Sequence, residues 1–344
     1  MTNRVTAFIA ALWLSLSAIP AIADSGEFKL EGWREVLIST RDIDTWRDFL
    51  QQQGGWTVRQ EGSIDKAQLT AWGLDKGVSG EQVLLGNAGT ETGFIRLLKL
   101  DGAGQRRIRS NDQSWDTGGI FDINMRVTDM ERTFAQLQAL GWQAPSDPVE
   151  FQFGKFHVKE WIVASPDGVR IAMIERLAPT LEGWPHLKKF SRSFNSTQTV
   201  SDMEVSLRFY RDVLGMQTYM EHRGASREAG PNVLGLPHNL ATQIERQVYI
   251  LHPDGINEGS VELLSFEGAT GWDFSEGAWL PNLGIAGLRF PVRNIEALRD
   301  HLRAVNYPVE GAIREVAIPP YGRCKTLMVV APGGTRNEFM ECAD

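Results

Sequence analysis

Charged side chains recur inside segments that otherwise alternate like half-buried strands. Asp122, Asn124 and Arg126 share one face of a segment whose other face is Ile123, Met125 and Val127. Glu35 and Arg289 stand on similar segments, and Arg96, Glu262 and Glu338 lie in the short apolar runs 94–98, 261–264 and 337–340. A carboxylate on the open face of a strand can move protons or hold a hard cation, and an arginine there can hold an anion. The six histidines show no pairing at ligand spacing, and no phosphate loop, nucleophile elbow, Cys–His pair or zinc motif is present. Cys324 and Cys342 flank a strand, a Pro-Gly-Gly turn and a second strand, so a hairpin sets them nearly opposite each other. A disulfide between them is expected, the alternative being two buried thiols one register step apart.

These residues are positioned by a unit that recurs four times. Each copy reads strand, short acidic loop, amphipathic helix, then further strands ending in a hairpin. The helices start at Asp42, Asp129, Asp202 and Asn294, which are 87, 73 and 92 residues apart by subtraction. Asp or Asn there suits an N-cap, where a side-chain oxygen accepts from a free backbone N–H. Apolar stripes follow the 3.6-residue period: Ile43, Trp46 and Phe49-Leu50; Met130, Phe134, Leu137 and Leu140; Met203, Leu207, Tyr210 and Leu214; Ile295, Leu298, Leu302 and Val305. Each helix ends at glycine or asparagine. One helix covers one sheet face, so two units side by side curl their sheets into a half-barrel with a polar concave face. The expected fold is α+β, four βαβββ modules paired into two cups. Punctuation at Asp101–Gly119, Leu177–Ser193 and Gly268–Gly284 bounds the modules, and the middle stretch reads as the linker between domains 29–176 and 190–343.

The whole chain bounds the setting. Residues 1–23 read as a signal peptide: Arg4, an apolar run from Phe8 to Ile19, and Ala21-Ile22-Ala23 before Asp24. The run is short for a membrane anchor, which is the alternative, and the expected location is periplasmic or secreted, with no membrane insertion after cleavage. The formal charge is −8, and removal of Arg4 makes it −9, with no basic tract, which argues against nucleic acid as a partner.

The segment 200–216, with Val-Ser-Asp-Met-Glu followed by Phe-Tyr-Arg-Asp-Val-Leu-Gly-Met, resembles the helix signature of the vicinal oxygen chelate superfamily, which includes glyoxalase I, bleomycin-resistance proteins and extradiol dioxygenases. Ser165-Pro-Asp-Gly168 and Ala331-Pro-Gly-Gly334 resemble its last-hairpin turn. The resemblance implies a divalent metal in a cup, manganese, iron, zinc or calcium, with ligands from first and last strands. Carried over by position, the first-strand sites are Glu35, Asp122, Asn195 and Gly287, and the last-strand sites are Arg96, Ala172, Glu262 and Glu338. None is histidine, which argues against a typical dioxygenase iron site.

Two uses of a C-terminal cup follow from the resemblance. Asn195, Glu262 and Glu338 would hold a hard cation, or Glu262 and Glu338 would act as catalytic acid and base. A structural pairing of these carboxylates with Arg289 and Arg336 is the plain alternative. An N-terminal cup would hold Glu35, Arg96, Asp122 and Arg126, either as an internal ion network or as a pocket for an anionic ligand. Tyr321, after Pro319-Pro320, is a candidate for lining a cup mouth, with a plain turn as the alternative. The implied function is an exported glyoxalase- or dioxygenase-like lyase, isomerase or dioxygenase acting on a small oxygenated molecule. A metal-free binding protein of the bleomycin-resistance type is the alternative. Four modules in one chain complete both cups, so a monomer is adequate and a dimer remains open.

Overall fold

The computed structural model describes residues 27–343, so the signal peptide expected over residues 1–23 lies outside them. The four repeats fold as βαβββ units. The first contains β1 (Lys29–Leu30), β2 (Glu35–Ser39), α1 (Ile43–Asp48), β3 (Trp56–Ser63), an extra helix α2 (Lys66–Ala71), β4 (Ser79–Asn87) and β5 (Phe94–Asp101). The second has β6 (Asp122–Val127), α3 (Met130–Ala139), β7 (Val149–Phe153), β8 (Phe156–Ala164) and β9 (Arg170–Ala178). The third has β10 (Phe190–Thr199), α4 (Met203–Leu207), β11 (Gln217–Gly224), β12 (Glu245–His252) and β13 (Ser260–Glu267). The fourth has β14 (Gly284–Arg293), α5 (Ile295–Ala304), β15 (Glu310–Ala317), β16 (Arg323–Val330) and β17 (Arg336–Cys342).

The caps form as the sequence requires. Asp42, Asp129, Asp202 and Asn294 accept from the backbone N–H groups of Thr45, Arg132, Val205 and Ala297. The chain leaves the helical regions through left-handed residues, Gly55, Gly141, Gly215 and Asn306, where a β-branched residue would be strained. The stripes bury their leading residues, but Leu140 and Val305 fall at the C-caps and stay 47% and 45% exposed.

The modules do not pair in sequence order. The first and fourth build one sheet, β15-β16-β17-β14-β2-β5-β4-β3, and the second and third build the other, β11-β12-β13-β10-β6-β9-β8-β7. The first strands make both seams, β2 antiparallel to β14 and β6 antiparallel to β10. The expected cups within 29–176 and within 190–343 are therefore corrected: each cup takes one module from each half. The stretch 177–193, expected to link domains, instead joins two strands that flank β6 in one sheet. The real crossings are the connections after β5 and after β13, which meet through isolated bridges at Arg107–Leu283 and Thr117–Asp273. At the first seam Glu35 stands directly opposite Arg289, an oppositely charged cross-strand pair that favours this partnership.

The non-cup sides of both sheets share one apolar core with the helices, with Val36, Ile123, Val261 and Phe339 representing the four modules. A polar thread crosses it, as Gln198 bonds the Tyr210 hydroxyl at 2.8 Å and Asn337 donates to that oxygen at 3.3 Å. Cys324 and Cys342 are register partners on β16 and β17 and form the expected disulfide. Among the described residues no helix is long and apolar enough to cross a membrane.

Candidate functional site

At the centre of the cup of the first and fourth modules the charged side chains close on one another, and a cavity of about 250 Å³ lies beside them, lined by Arg34, Arg59, Leu84, Phe94 and Tyr321 among others. Glu35, Arg96, Arg289 and Glu338 are all at most 2% exposed. Arg96 forks onto Glu35 with bonds of 2.7 and 2.9 Å, and Arg289 reaches both Glu35 and Glu338, its Nε donating to Glu338 at 2.8 Å. The spare acceptors are taken as well. The α2 residue Gln68 donates to Glu338 at 2.9 Å, Trp72 Nε1 to the same oxygen at 3.2 Å, and the Tyr321 hydroxyl to Glu35 at 2.9 Å. Burial pushes the Glu35 carboxyl up, but the Arg96 and Arg289 charges, with bonds from Arg96 and Tyr321, hold it down at about 2. It is a closed ion network in which every carboxylate has a cation. Glu35, Arg96, Arg289 and Tyr321, expected as ligand-binding residues, and Glu338, expected as catalyst and metal ligand, bind one another here. The expected triad of Asn195, Glu262 and Glu338 does not assemble, because Glu338 belongs to one sheet and the other two residues to the other.

The cup of the second and third modules differs. Asp122 and Glu262 both register with Thr197, so the three side chains share the concave face across β6, β10 and β13. Glu160, on β8, registers with Ile174, which registers in turn with Arg126 on β6. Among the described residues none of these three carboxylates makes an ion pair, and Asp122 Oδ1 is buried with no hydrogen-bond partner.

Their electrostatics follow. Burial drives Asp122 up to about 7 despite a bond from Thr197 and the charges of Arg170 and Arg109. Those arginines are already held by Asp112, at 3.0 and 2.8 Å. Burial and the charge of Asp122 raise Glu160 to about 7, against the pull of Arg126. Burial, Asp122 and Glu160 raise Glu262 to about 8. Glu160 and Glu262 nevertheless keep part of their surface reachable. Over this cup the link between β11 and β12 carries no helix like α2. Its Val233 and Leu234 pack instead on Phe121, Ile162 and Ala172.

A resident metal does not fit these residues. Of the first- and last-strand positions in this cup, Ala172 offers no donor atom. The carbonyl oxygen of Asn195 accepts from Asn124 at 2.7 Å, and its amide nitrogen donates to Ser260 at 2.9 Å. Among the described residues no three His, Cys, Asp or Glu side chains converge as a metal site. Sequence reasoning missed Glu160. Its signal was a charge on the same strand face as Val158 and Ile162, opposite the core-facing Trp161.

Comparison with known proteins agrees with this architecture. Residues 193–339 match the model of the Glyoxalase/Bleomycin resistance protein/Dioxygenase superfamily. Glyoxalase I from Zea mays is similar in structure over 92% of both chains, with a TM-score of 0.59 and 14% sequence identity. A candidate dioxygenase from Bacillus subtilis matches over 92% of this chain and 86% of its own, with a TM-score of 0.52 and 11% identity. At these identities the likeness is one of fold. No curated protein sequence matches the chain.

Proposed function

From the match of residues 193–339 to the glyoxalase/bleomycin resistance protein/dioxygenase superfamily model and the shared fold, we propose that the chain is a member of that superfamily and that the cup of the second and third modules is an active site that moves protons on a small oxygenated molecule. The observation that carries the reading is the unpaired carboxylate trio in that cup. With Glu262 raised to about 8 and Glu160 to about 7, the cup is only partly protonated at neutral pH, so it can both give and take a proton. Proton transfer is most effective when catalytic groups titrate near the working pH. Glu262 acts as the acid and Glu160 as the base, and the charge of Asp122 lifts both. The three groups titrate as one coupled set, so the pH–rate profile reports the set rather than single residues.

The reaction class that suits such a pair is removal and return of a proton on a carbon beside a carbonyl, as in an isomerase or lyase. Export is part of the proposal, supported by the Ala-x-Ala stretch ending at Ala23 and by the Cys324–Cys342 disulfide. N-terminal sequencing of the protein from a periplasmic fraction checks it: Asp24 is expected as the first residue, and retained residues 1–23 would contradict cleavage.

The activity is tested by proton NMR in deuterium oxide with a panel of small 2-oxo and 2-hydroxy carbonyl compounds. At least one compound should lose its carbon-bound proton signal with wild-type protein and keep it with Glu262→Gln. Binding of panel members without exchange in either protein would overturn catalysis in favour of simple binding.

A further inference from the structure

Arg126 and Arg176 lie in the same cup as the carboxylate trio, and among the described residues neither is in hydrogen-bonding contact with a carboxylate, Glu160 acting on Arg126 only from further off. Arg126 is 7% exposed. Its register partner on β9 is Ile174, so Arg176, two residues further along β9, shares its face and is its diagonal neighbour. Each guanidinium lies over an aromatic ring, Arg126 4.6 Å from the centroid of Phe194 and Arg176 4.0 Å from that of Phe156. In both, Nε is buried and bonded to nothing. Among the described residues neither makes an ion pair. Burial, and the neighbouring charge of Arg176, lower Arg126 to about 10. Among the described residues the buried arginines of the other cup are each met by a carboxylate, whereas here Arg126 is buried and Arg176 half-buried with no such contact. Two like charges side by side with donor atoms unspent are costly unless an anion completes them.

We propose that Arg126 and Arg176 form a cradle for an oxyanion group of the ligand, so that the molecule handled in this cup is a small organic acid. The inference rests on the reading of this cup as an active site and names its substrate class. Ile174 registers with both Arg126 and Glu160. A carboxylate seated on the arginines therefore puts the neighbouring carbon of a 2-oxo or 2-hydroxy acid toward Glu160. Arg126 and Glu160 stand on the strands either side of β9, two spacings of about 4.8 Å apart, a separation that two long side chains and one small molecule can bridge.

The test is calorimetric titration of the mature chain, at low and high salt, with pyruvate, its uncharged counterpart methyl pyruvate, and inorganic phosphate. The wild-type protein should bind pyruvate at least tenfold more tightly than methyl pyruvate, and added salt should weaken that binding. Arg126→Gln and Arg176→Gln should each weaken it tenfold or more, and Arg126→Lys should do less harm. Arg176 is the more exposed of the two, so its variant serves if Arg126→Gln does not fold. Tighter binding of phosphate than of pyruvate also supports the cradle and assigns it to a phosphate ester. Equal binding of acid and ester, or unchanged binding in both glutamine variants, overturns it. Glu262→Gln separates the two readings. Retained pyruvate binding with unchanged proton exchange in that variant defeats the acid–base proposal and leaves the cradle standing.

Discussion

The two cups descend from the same repeated unit and have met the same problem in opposite ways. Both carry charged residues on the concave faces of their first and last strands. In the first–fourth cup Arg96 and Arg289 neutralise Glu35 and Glu338, and α2 and Tyr321 take up the remaining acceptors. In the second–third cup the carboxylates and arginines stay apart, so the acids are raised and the guanidiniums keep unused donors. A buried charge with a partner contributes to structure, and one without a partner is poised for a ligand or a proton. The difference lies in the residue at equivalent last-strand positions: Arg96 completes a network with Glu35, whereas Ala172 offers no charge to Asp122 and packs against Val233 and Leu234.

The comparison can be broken from either side. Removing one member of the closed network should have the largest effect on folding. Glu338→Ala leaves Arg289 with one carboxylate fewer and should cost roughly 3–5 kcal/mol of stability, the range for halving a buried ion pair. Urea denaturation would read this, and proton exchange by the folded fraction should be unchanged. A comparable loss of exchange in the folded fraction would mean that the first–fourth cup takes part in the chemistry. Glu262→Gln should do the reverse: exchange falls roughly 100- to 10,000-fold, the usual contribution of a positioned acid or base, with stability kept or raised. Outside both cups, Cys324→Ser with Cys342→Ser opens a loop of sequence separation 18 and should cost about 3 kcal/mol. Thermal melts with and without reductant check this, since reductant should lower the wild-type midpoint and leave the double variant unmoved.

In the pH dependence of stability the two cups should pull in opposite directions. Glu35 titrates near 2 in the folded chain against 4.5 as a free side chain. Its contribution is therefore present above 4.5 and is lost as pH falls towards 2. Asp122, Glu160 and Glu262 are raised from 3.8, 4.5 and 4.5 to about 7, 7 and 8. The folded state then binds more protons than the unfolded chain between about pH 4 and 8, so stability falls as pH rises through that window. Urea midpoints measured from pH 2 to 9 should show both slopes. Glu262→Gln should flatten the alkaline one and leave the acidic one intact. Asp122→Asn should move the pH–rate profile to lower pH, because it removes a charge that lifts both Glu160 and Glu262.

Much of the fold was legible because local signals carried it. Helix caps at Asp42, Asp129, Asp202 and Asn294, the alternation around Asp122, and the spacing of Cys324 and Cys342 about one turn all act within a few residues. The pairing of the modules was not legible, because it depends on which first strands meet. The cue, Glu35 opposite Arg289, joins residues 254 positions apart. That is why Glu262 and Glu338 were expected together and are found in different cups. Glu160 was missed for another reason: it sits on a middle strand, where positions taken from first and last strands do not reach, and only alternation against Trp161 marks it. The extra helix α2, which lends a donor to one cup, could not be foreseen from the repeat, since no other module has it.

The most direct test of the contrast is carbon-13 NMR of glutamate carboxyl groups through a pH titration, with Glu35 and Glu262 assigned by loss of their signals in Glu35→Gln and Glu262→Gln. Glu262 should titrate near 8 while Glu35 stays ionised to about 2. Titration of both near the ordinary value of 4.5 would contradict the division of the molecule into one cup of paired charges and one cup of unpaired carboxyls.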